Sequence, residues 1–307
     1  MKVFLSKLNE SWIVDRLRKE WYENNKSIST DNLRNATIIW IISPWTWKKI
    51  PKRHLMSKKV ICTIHHIDFE KFNEEVKKEF YERDSYVDVY HVFSEKSKLQ
   101  LQKLTGKEIR KIPYWVNENI WFPIIEKNDI RKEFSFEQDD YLIGSFQRDT
   151  EGSDLVTPKL IKGPDIFLEL VTKLHKKKSN LKIVLTGKRR NYLINNLNDR
   201  GIPFAYFEMV DFYTMNKLYN ILDLYLVTSR VEGGPQAILE CGLAKVPIIS
   251  TDVGLASEIL NKESIFKIEN FSKAKPDIEY AYNNAIKYKI PKGMKPYIEM
   301  FEEFNEN

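Results

Sequence analysis

Two glutamates separated by seven residues, Glu232 and Glu240, are the side chains of this sequence whose chemistry is most readily interpreted. Ionised carboxylates accept charge-assisted hydrogen bonds, so a fixed pair can hold the two ends of an elongated polar ligand. On a helix that begins at Pro235, with a rise of about 1.5 Å per residue, Glu240 lies about 7.5 Å further along the axis. The spacing therefore predicts that Glu232 contacts the near end of such a ligand and Glu240 its far end.

A strand, a glycine turn and a helix must position this pair. Residues 223–229 are apolar and β-prone, which predicts a buried strand. Gly233 and Gly234 predict a tight turn, and Pro235 suits the first position of a helix that continues over residues 237–244. Glycines let a ligand approach the backbone, and a helix N-terminus presents free N–H groups, so the turn favours an anionic ligand.

The stretch from Ser229 to Ala244 resembles the signature of retaining glycosyltransferases of the GT-B fold, the large family-4-like group also called glycosyl transferases group 1. The signature is Ser-x-x-Glu-Gly followed by a helix with a second Glu, and the likeness continues through residues 242–254 to Glu258. It implies an α/β chain with two Rossmann-like domains whose parallel sheets face each other across a cleft. It also implies a hexosyltransferase-type enzyme that moves a sugar from a nucleotide-diphosphate donor to a glycan or lipid-linked glycan in surface polysaccharide synthesis.

The same resemblance assigns catalytic and donor-binding residues. Arg148 and Lys162 match the family's Gly-Arg and Lys-Gly positions, where fixed cations stabilise the negative charge that grows on the leaving phosphate. Glu240 is expected to accept hydrogen bonds from the ribose, and Glu232 from a hydroxyl of the donor sugar. The remaining donor-side candidates are Gly187, Gly233, Gly234 and Pro235.

Two features depart from the family pattern on the donor side. Gln147 stands where the family usually has Gly, and the loop over residues 149–158 is acidic and longer than usual.

The chain also lacks an Asp-x-Asp motif, the usual carboxylate clamp for a metal-bound diphosphate. We therefore expect no metal and no cofactor, with the nucleotide sugar as the co-substrate.

The acceptor side is expected in the first half of the chain, where the resemblance is looser. Residues 60–68 resemble a family strand that ends in a histidine near the acceptor, which makes His65 a further catalytic candidate. Residues 112–123 resemble the segment that leads into the second domain, but Tyr114 and Trp115 replace the usual Asn-Gly.

The positive charge is concentrated in the first half of the chain. Residues 1–125 carry 23 Lys and Arg against 16 Asp and Glu, and residues 32–67 contain no acid at all. Basic residues beside tryptophans suit an anionic membrane surface or a lipid-phosphate acceptor, and the alternative is a solvated basic loop. No nucleic-acid recognition motif accompanies the charge, so a nucleic-acid partner is not expected. The candidates on this acceptor or membrane side are Trp45, Trp47, Lys48, Lys49, Lys52 and Arg53.

Alternating strand and helix patterns divide the chain into two α/β domains. We predict an N-terminal acceptor-side domain over residues 1–123, a polar linker over 124–138, a nucleotide-sugar-binding domain over 139–275, and helices over 276–307, the last crossing back to the first domain. No run of 18 apolar residues occurs, and the two cysteines are far apart in predicted buried elements. We expect a cytoplasmic protein with the inner membrane face as its peripheral site.

Residues 1–105 contain no glycine, so the loop over residues 6–11 lacks the glycine-rich turn that the family places close to the donor phosphate. This departure keeps a different class of function open, namely a degenerate domain that binds a nucleotide sugar or a partner without turnover. An epimerase or phosphorylase with the GT-B fold is a further alternative. UDP, GDP and ADP sugars all stay open as donors, because no residue identifies the base.

Overall fold

The computed structural model describes residues 1–7 and 13–306. Trp12, the predicted first residue of a helix, and most of the loop over residues 6–11 lie outside the described residues. The chain divides into two compact units. Unit 1 comprises the described residues of 1–115 and 290–307, and unit 2 comprises residues 116–289.

The strands and helices of unit 1 alternate along the chain. Its strands are β1 (Val3–Leu5), β2 (Ile38–Ile41), β3 (Lys59–Ile64), β4 (Val89–Val92) and β5 (Glu108–Lys111). Its helices are α1 (Ile13–Asn24), α2 (Lys52–Leu55), α3 (Glu74–Asp84), α4 (Glu95–Leu101) and, from the end of the chain, α12 (Lys295–Glu306).

Unit 2 repeats this alternation with a wider sheet. Its strands are β6 (Tyr141–Ser145), β7 (Leu181–Thr186), β8 (Phe204–Phe207), β9 (Leu224–Val227), β10 (Ile248–Thr251) and β11 (Ile265–Phe266). Its helices are α5 (Lys127–Glu133), α6 (Pro164–His175), α7 (Asn191–Asp199), α8 (Phe212–Asn220), α9 (Gln236–Leu243), α10 (Ala256–Ile259) and α11 (Ile278–Ala285).

The sheet of unit 1 is parallel, with the order β1-β2-β3-β4-β5. Strands β2 and β4 are buried along their whole length, as expected for a sheet with both faces covered. Along the described residues the strand order follows the chain order without a reversal. A switch point, where ligands bind in open α/β sheets, therefore does not arise within this sheet.

Helix α12 completes an aromatic core in unit 1. Phe301 packs against Trp21 and Trp40, with ring centroids 5.4 and 5.3 Å apart. Tyr297 lies 5.1 Å from Trp115, whose indole N–H donates a 2.7 Å hydrogen bond to Glu20. Buried indoles are stable when both the ring and the N–H are satisfied, which is the case here. The Trp115 that replaces a family glycine is thus a core residue of this chain.

The sheet of unit 2 is parallel, with the order β11-β10-β9-β6-β7-β8. The chain leaves β6 towards β7 and β8, then returns to the other side of β6 through β9. The chain thus reverses its direction across the sheet at the neighbouring strands β6 and β9, which makes this a topological switch point, and the carboxyl ends of these two strands are the expected binding edge. The predicted α/β class with two parallel sheets is confirmed.

The predicted linker contains regular structure. Within residues 124–138 helix α5 forms, and its Arg131 is buried and donates to Ile221 O at 2.9 Å and Asp223 Oδ2 at 2.8 Å. The high charge of this segment reflects one buried guanidinium as well as a solvated surface. In the described part of the chain, the helices are too short or too polar to cross a lipid bilayer.

Candidate functional site

The glutamate turn lies at the switch point of unit 2. Strand β9 ends at Val227, and in the turn that follows Gly233, Gly234 and Pro235 are buried. Gly254, at φ +51°, packs against this turn, and a Cβ there would lie 2.5 Å from Gly233 O. Only a glycine fits that contact. Helix α9 then begins at Gln236, and Pro235, the predicted first helical residue, is its N-terminal cap.

Lys162 and Glu232, predicted separately, contact each other directly. The Lys162 ammonium donates to Glu232 Oε1, and their side chains are 20% and 12% exposed. Ser229 Oγ lies 3.2 Å from the same carboxylate oxygen. The Lys162 ammonium and the Glu232 carboxylate are both partly removed from water, so each can interact strongly with a polar ligand.

Backbone contacts fix Lys162 beside the turn. Arg230 N and Val231 N donate to Ile161 O at 2.8 and 3.1 Å. Gly163, at φ +61°, ends the short 3₁₀ turn of Lys162, and a Cβ on it would lie 1.9 Å from Thr228 O. The close approach of these two loops therefore requires glycine at position 163.

Gln147, which departs from the family glycine, joins the same two loops. Its Nε2 donates to Lys162 O at 2.9 Å, and its Oε1 lies 3.3 Å from Ser229 Oγ. The Gln147 amide thus connects the segment that follows β6 to the segment that follows β9.

Glu240 is held by a buried tyrosine. Tyr219 OH donates to Glu240 Oε2 at 3.0 Å, and Glu240 is 6% exposed. The Tyr219 ring lies 4.7 Å from Phe146 and 5.3 Å from Tyr225 between centroids. Burial, followed by the nearby Tyr225 and Glu240, raises the pKa of Tyr219 well above its ordinary value, so the hydroxyl keeps its proton as a donor.

Arg148 belongs to a group of cations with Lys159 and Lys162. Burial, then the charges of Arg148 and Lys162, lower the pKa of Lys159 to about 8. The carboxylates of Glu151 and Glu232 act in the opposite direction. Close cations that are partly removed from water are stabilised by a bound anion.

A buried ion pair between Arg190 and Asp149 lies next to Arg148 in the chain. Arg190 is fully buried and donates to Asp149 Oδ2 at 3.0 Å and Thr186 O at 2.7 Å, with a further bond to Ser145 O. Burial raises the pKa of Asp149, and Arg190 opposes that change. Arg190 therefore ties the ends of β6 and β7 to the residue that follows Arg148. Gly187, at φ +85°, directly follows β7, and its carbonyl accepts from Tyr206 OH at 2.9 Å.

His65 of unit 1 has partners on both ring nitrogens. Nε2 lies 2.8 Å from Ile42 O, and Nδ1 lies 3.1 Å from Tyr114 OH. A carbonyl can only accept, so Nε2 carries a proton, and in the neutral ring Nδ1 then accepts from the tyrosine. Trp45, half exposed, lies 5.5 Å from the His65 ring between centroids. Tyr114, the other departure from the family's Asn-Gly, therefore orients His65.

The basic tryptophan segment is less accessible than its sequence suggests. Trp47 is 1% exposed and donates to Glu79 Oε1 at 3.3 Å, so the interfacial role predicted for it does not fit its burial. Lys48 lies 3.3 Å from Glu79, and Lys52 lies 3.3 Å from Glu82. Lys49 and Arg53 are exposed. Acids of helix α3, outside the acid-free segment, thus neutralise part of its charge.

Four residues of the site escaped prediction. Ser229 is the first residue of the Ser-x-x-Glu-Gly signature, so it could have been predicted as a site residue. Tyr219 and Arg190 act through partners 21 and 41 residues away, at Glu240 and Asp149, which a local pattern does not reveal. Lys159 lies only three residues before Lys162, but sequence alone does not show its burial.

Comparison with known proteins finds a family that is similar to the second half of this chain. Residues 157–294 match the family model described as glycosyl transferases group 1. The O-antigen biosynthesis glycosyltransferase WclY of Escherichia coli is 27% identical over 190 residues, covering 56% of this chain and 50% of that protein. The chain thus spans about half the length of the curated relative it matches.

Solved structures share the fold at low identity. Anabaena HepE in complex with UDP-glucose matches with a TM-score of 0.76 at 11% identity, over 98% of this chain and 99% of that one. Sucrose-phosphate synthase from Thermosynechococcus elongatus matches with a TM-score of 0.70 at 11% identity, over 97% and 80%. A glycosyltransferase from Rickettsia africae matches with a TM-score of 0.66 at 17% identity, over 98% and 84%. Residues 157–294, less than half of the chain, are therefore similar to the glycosyl transferases group 1 family, in a chain with the GT-B fold.

Proposed function

We propose that the chain is a retaining, metal-independent glycosyltransferase that uses a nucleotide-diphosphate sugar and extends a surface glycan or its lipid-linked precursor. The observation that carries this proposal is the contact between Lys162 and Glu232 at the switch point of unit 2. The bond that breaks joins the donor phosphate to the donor sugar. The cation that binds the phosphate and the carboxylate that binds the sugar must therefore lie side by side. The names of WclY and of the HepE complex with UDP-glucose support the same class of reaction.

The proposed chemistry depends on fixed charges. When the sugar leaves, negative charge grows on the diphosphate, and Lys162 and Arg148 are positioned cations that stabilise it without reorganisation. Glu232 binds a sugar hydroxyl, and Glu240, at the far end, binds the ribose. Retention follows if the acceptor attacks from the face that the leaving phosphate occupies, with that phosphate taking the proton.

The acceptor is proposed to contact unit 1 near His65 and Trp45. Trp45 presents a half-exposed ring beside a histidine of fixed tautomer, which suits contact with a sugar ring. A location at the inner membrane face stays part of the proposal for a lipid-linked acceptor. The pairing of Lys48 and Lys52 with acids limits the attraction to anionic lipid, so Lys49 and Arg53 carry more of it.

Turnover without a divalent metal is the direct test of this function. UDP-, GDP- and ADP-hexoses are incubated with a lipid-linked glycan extract, and nucleotide release and the anomeric configuration of the product are measured. We expect acceptor-dependent release that EDTA leaves unchanged, with the configuration of the donor retained.

Three outcomes would contradict parts of this proposal. Binding of a nucleotide sugar without release, with every acceptor extract, would favour the degenerate domain. Activity that EDTA abolishes and magnesium or manganese restores would refute the metal-independent mechanism. A product of inverted configuration would refute retention. Lys176→Gln, which removes an exposed charge at the end of α6, should match the wild type in these measurements.

The hydrogen bond from Tyr219 to Glu240 predicts selectivity for ribose. In Tyr219→Phe the carboxylate loses a buried donor worth about 0.5–1.5 kcal/mol, so we expect roughly twofold to tenfold weaker binding of UDP or of whichever nucleoside diphosphate binds. The 2′-deoxy form should lose less affinity, because it lacks a hydroxyl that Glu240 accepts from. Calorimetric titration of both forms checks this, with Tyr192→Phe as control. Equal losses for both forms would show that Tyr219 only supports the fold.

A further inference from the structure

We propose that Lys159 is a third ligand of the donor diphosphate and makes donor binding sensitive to pH in the range just above neutrality. This inference rests on the proposed function of the same site. It assigns a role to the end of the long loop over residues 149–158, which departs from the family pattern.

Backbone hydrogen bonds link Lys159 to the two segments that carry the other cations. Thr150 and Pro158 form an antiparallel bridge that closes the loop, and Lys159 N donates to Asp149 O at 2.8 Å. Lys162 N in turn donates to Lys159 O at 2.8 Å. Asp149 is itself anchored by the buried Arg190. Lys159 thus sits one short turn from Lys162 and next to the residue that follows Arg148, on a loop closed by its own hydrogen bonds.

The charges around Lys159 favour an anionic ligand. Arg148 and Lys162 are near enough to repel its ammonium, and Glu151 and Glu232 are near enough to attract it. Glu232 already binds the Lys162 ammonium, so its negative charge is divided between Lys162 and Lys159. Lys159 is partly buried, and removal from water adds to the repulsion between the cations. A diphosphate placed among these three side chains supplies the negative charge that this group needs.

The sign of the pH effect follows from protonation. In the free protein the pKa of Lys159 is about 8, so the ammonium form declines as pH rises above that value. A diphosphate is attracted to the ammonium and raises this pKa, so binding takes up a proton there. We expect the affinity to fall roughly fivefold to tenfold between about pH 7 and pH 9, within the tenfold per pH unit that one linked proton allows.

Two substitutions at this position separate charge from titration. Lys159→Arg keeps the cation, and its guanidinium does not lose its proton in this range. It should bind the nucleoside diphosphate at pH 7 within about threefold of the wild type and lack the fall towards pH 9. Lys159→Gln should bind weakly at pH 7 and also lack the fall. Lys176→Gln, the exposed control, should behave as the wild type.

The experiment is calorimetric titration of UDP, GDP and ADP at three pH values, in two buffers of different ionisation enthalpy so that proton uptake is counted directly. Thermal unfolding midpoints verify that each variant folds. A wild type without pH dependence, or a Lys159→Gln variant that keeps the wild-type dependence, overturns the inference.

Inorganic pyrophosphate is titrated in parallel to separate this inference from the proposed function. If pyrophosphate binds with the expected dependence on Lys159 while no nucleoside diphosphate binds, the anion site stands and the nucleotide-sugar proposal fails. If neither binds, both are overturned. Nucleoside diphosphate binding that is independent of Lys159 overturns only the role of this lysine.

Discussion

Arg190→Met is expected to destabilise unit 2 by about 3–5 kcal/mol, the range for a buried ion pair that loses one partner. The Asp149 carboxylate would stay in the interior, with its side chain 2% exposed, and would lose its cation. Two strand-end carbonyls, Ser145 O and Thr186 O, would lose their donor as well. Hydrogen exchange of peptides from β6 and β7 measures this loss within unit 2.

The double variant Arg190→Met/Asp149→Asn is the matched control for the ion pair. It removes both charges and should be distinctly more stable than the single variant. The single variant should also gain stability on acidification, because the pKa of Asp149, already raised by burial, rises further without Arg190. A folded-state pKa above the unfolded one gives stability at low pH that is lost as pH rises through it. Equal stability of the two variants at neutral pH would contradict the assigned role.

Lys162→Ala is expected to weaken nucleoside diphosphate binding roughly tenfold to a hundredfold, the range for the loss of a charge-assisted hydrogen bond. The backbone of Lys162 is held at its N–H by Lys159 O and at its carbonyl by Gln147 Nε2, so the ammonium needs little ordering when a phosphate binds. The measurement is calorimetric titration of the diphosphate and of the corresponding nucleotide sugar.

Glu232→Gln tests the division of labour in the same pair. Removal of the carboxylate frees Lys162 from its partner, so binding of the diphosphate should be unchanged or stronger. The nucleotide sugar should lose affinity relative to the diphosphate, because the sugar hydroxyl loses its charged acceptor. An unchanged diphosphate affinity in Lys162→Ala, or a large loss in Glu232→Gln, would refute these assignments.

Periodic and spaced patterns in the sequence predicted much of the fold. The apolar stripe of residues 164–175 predicts a helix, and α6 has the same bounds. The turn and helix that carry Glu232 and Glu240 form with one residue of difference. These features depend on local spacing and burial, which a sequence displays directly.

Features that depend on tertiary contacts could not be predicted in the same way. Lys188, Arg189 and Arg190 are equivalent in sequence, but only Arg190 of the three is fully buried. Trp45 and Trp47 lie two residues apart on the 3₁₀ helix Pro44–Lys49 and therefore face different ways, one exposed and one in the core. In each case the partner that decides the outcome comes from a distant part of the chain.

The discontinuity of unit 1 sets an order of events during protein synthesis. A ribosome completes residues 1–115 and then all of unit 2 before it makes Tyr297 and Phe301, the rings that pack on Trp21 and Trp40. Until then the tryptophans of the nascent first unit lack these partners, and exposed apolar surface of this kind attracts chaperones. Unit 2 is contiguous, so all of its residues are made before the last segment of unit 1. Unit 1 is thus the first unit to be started and the last to be completed.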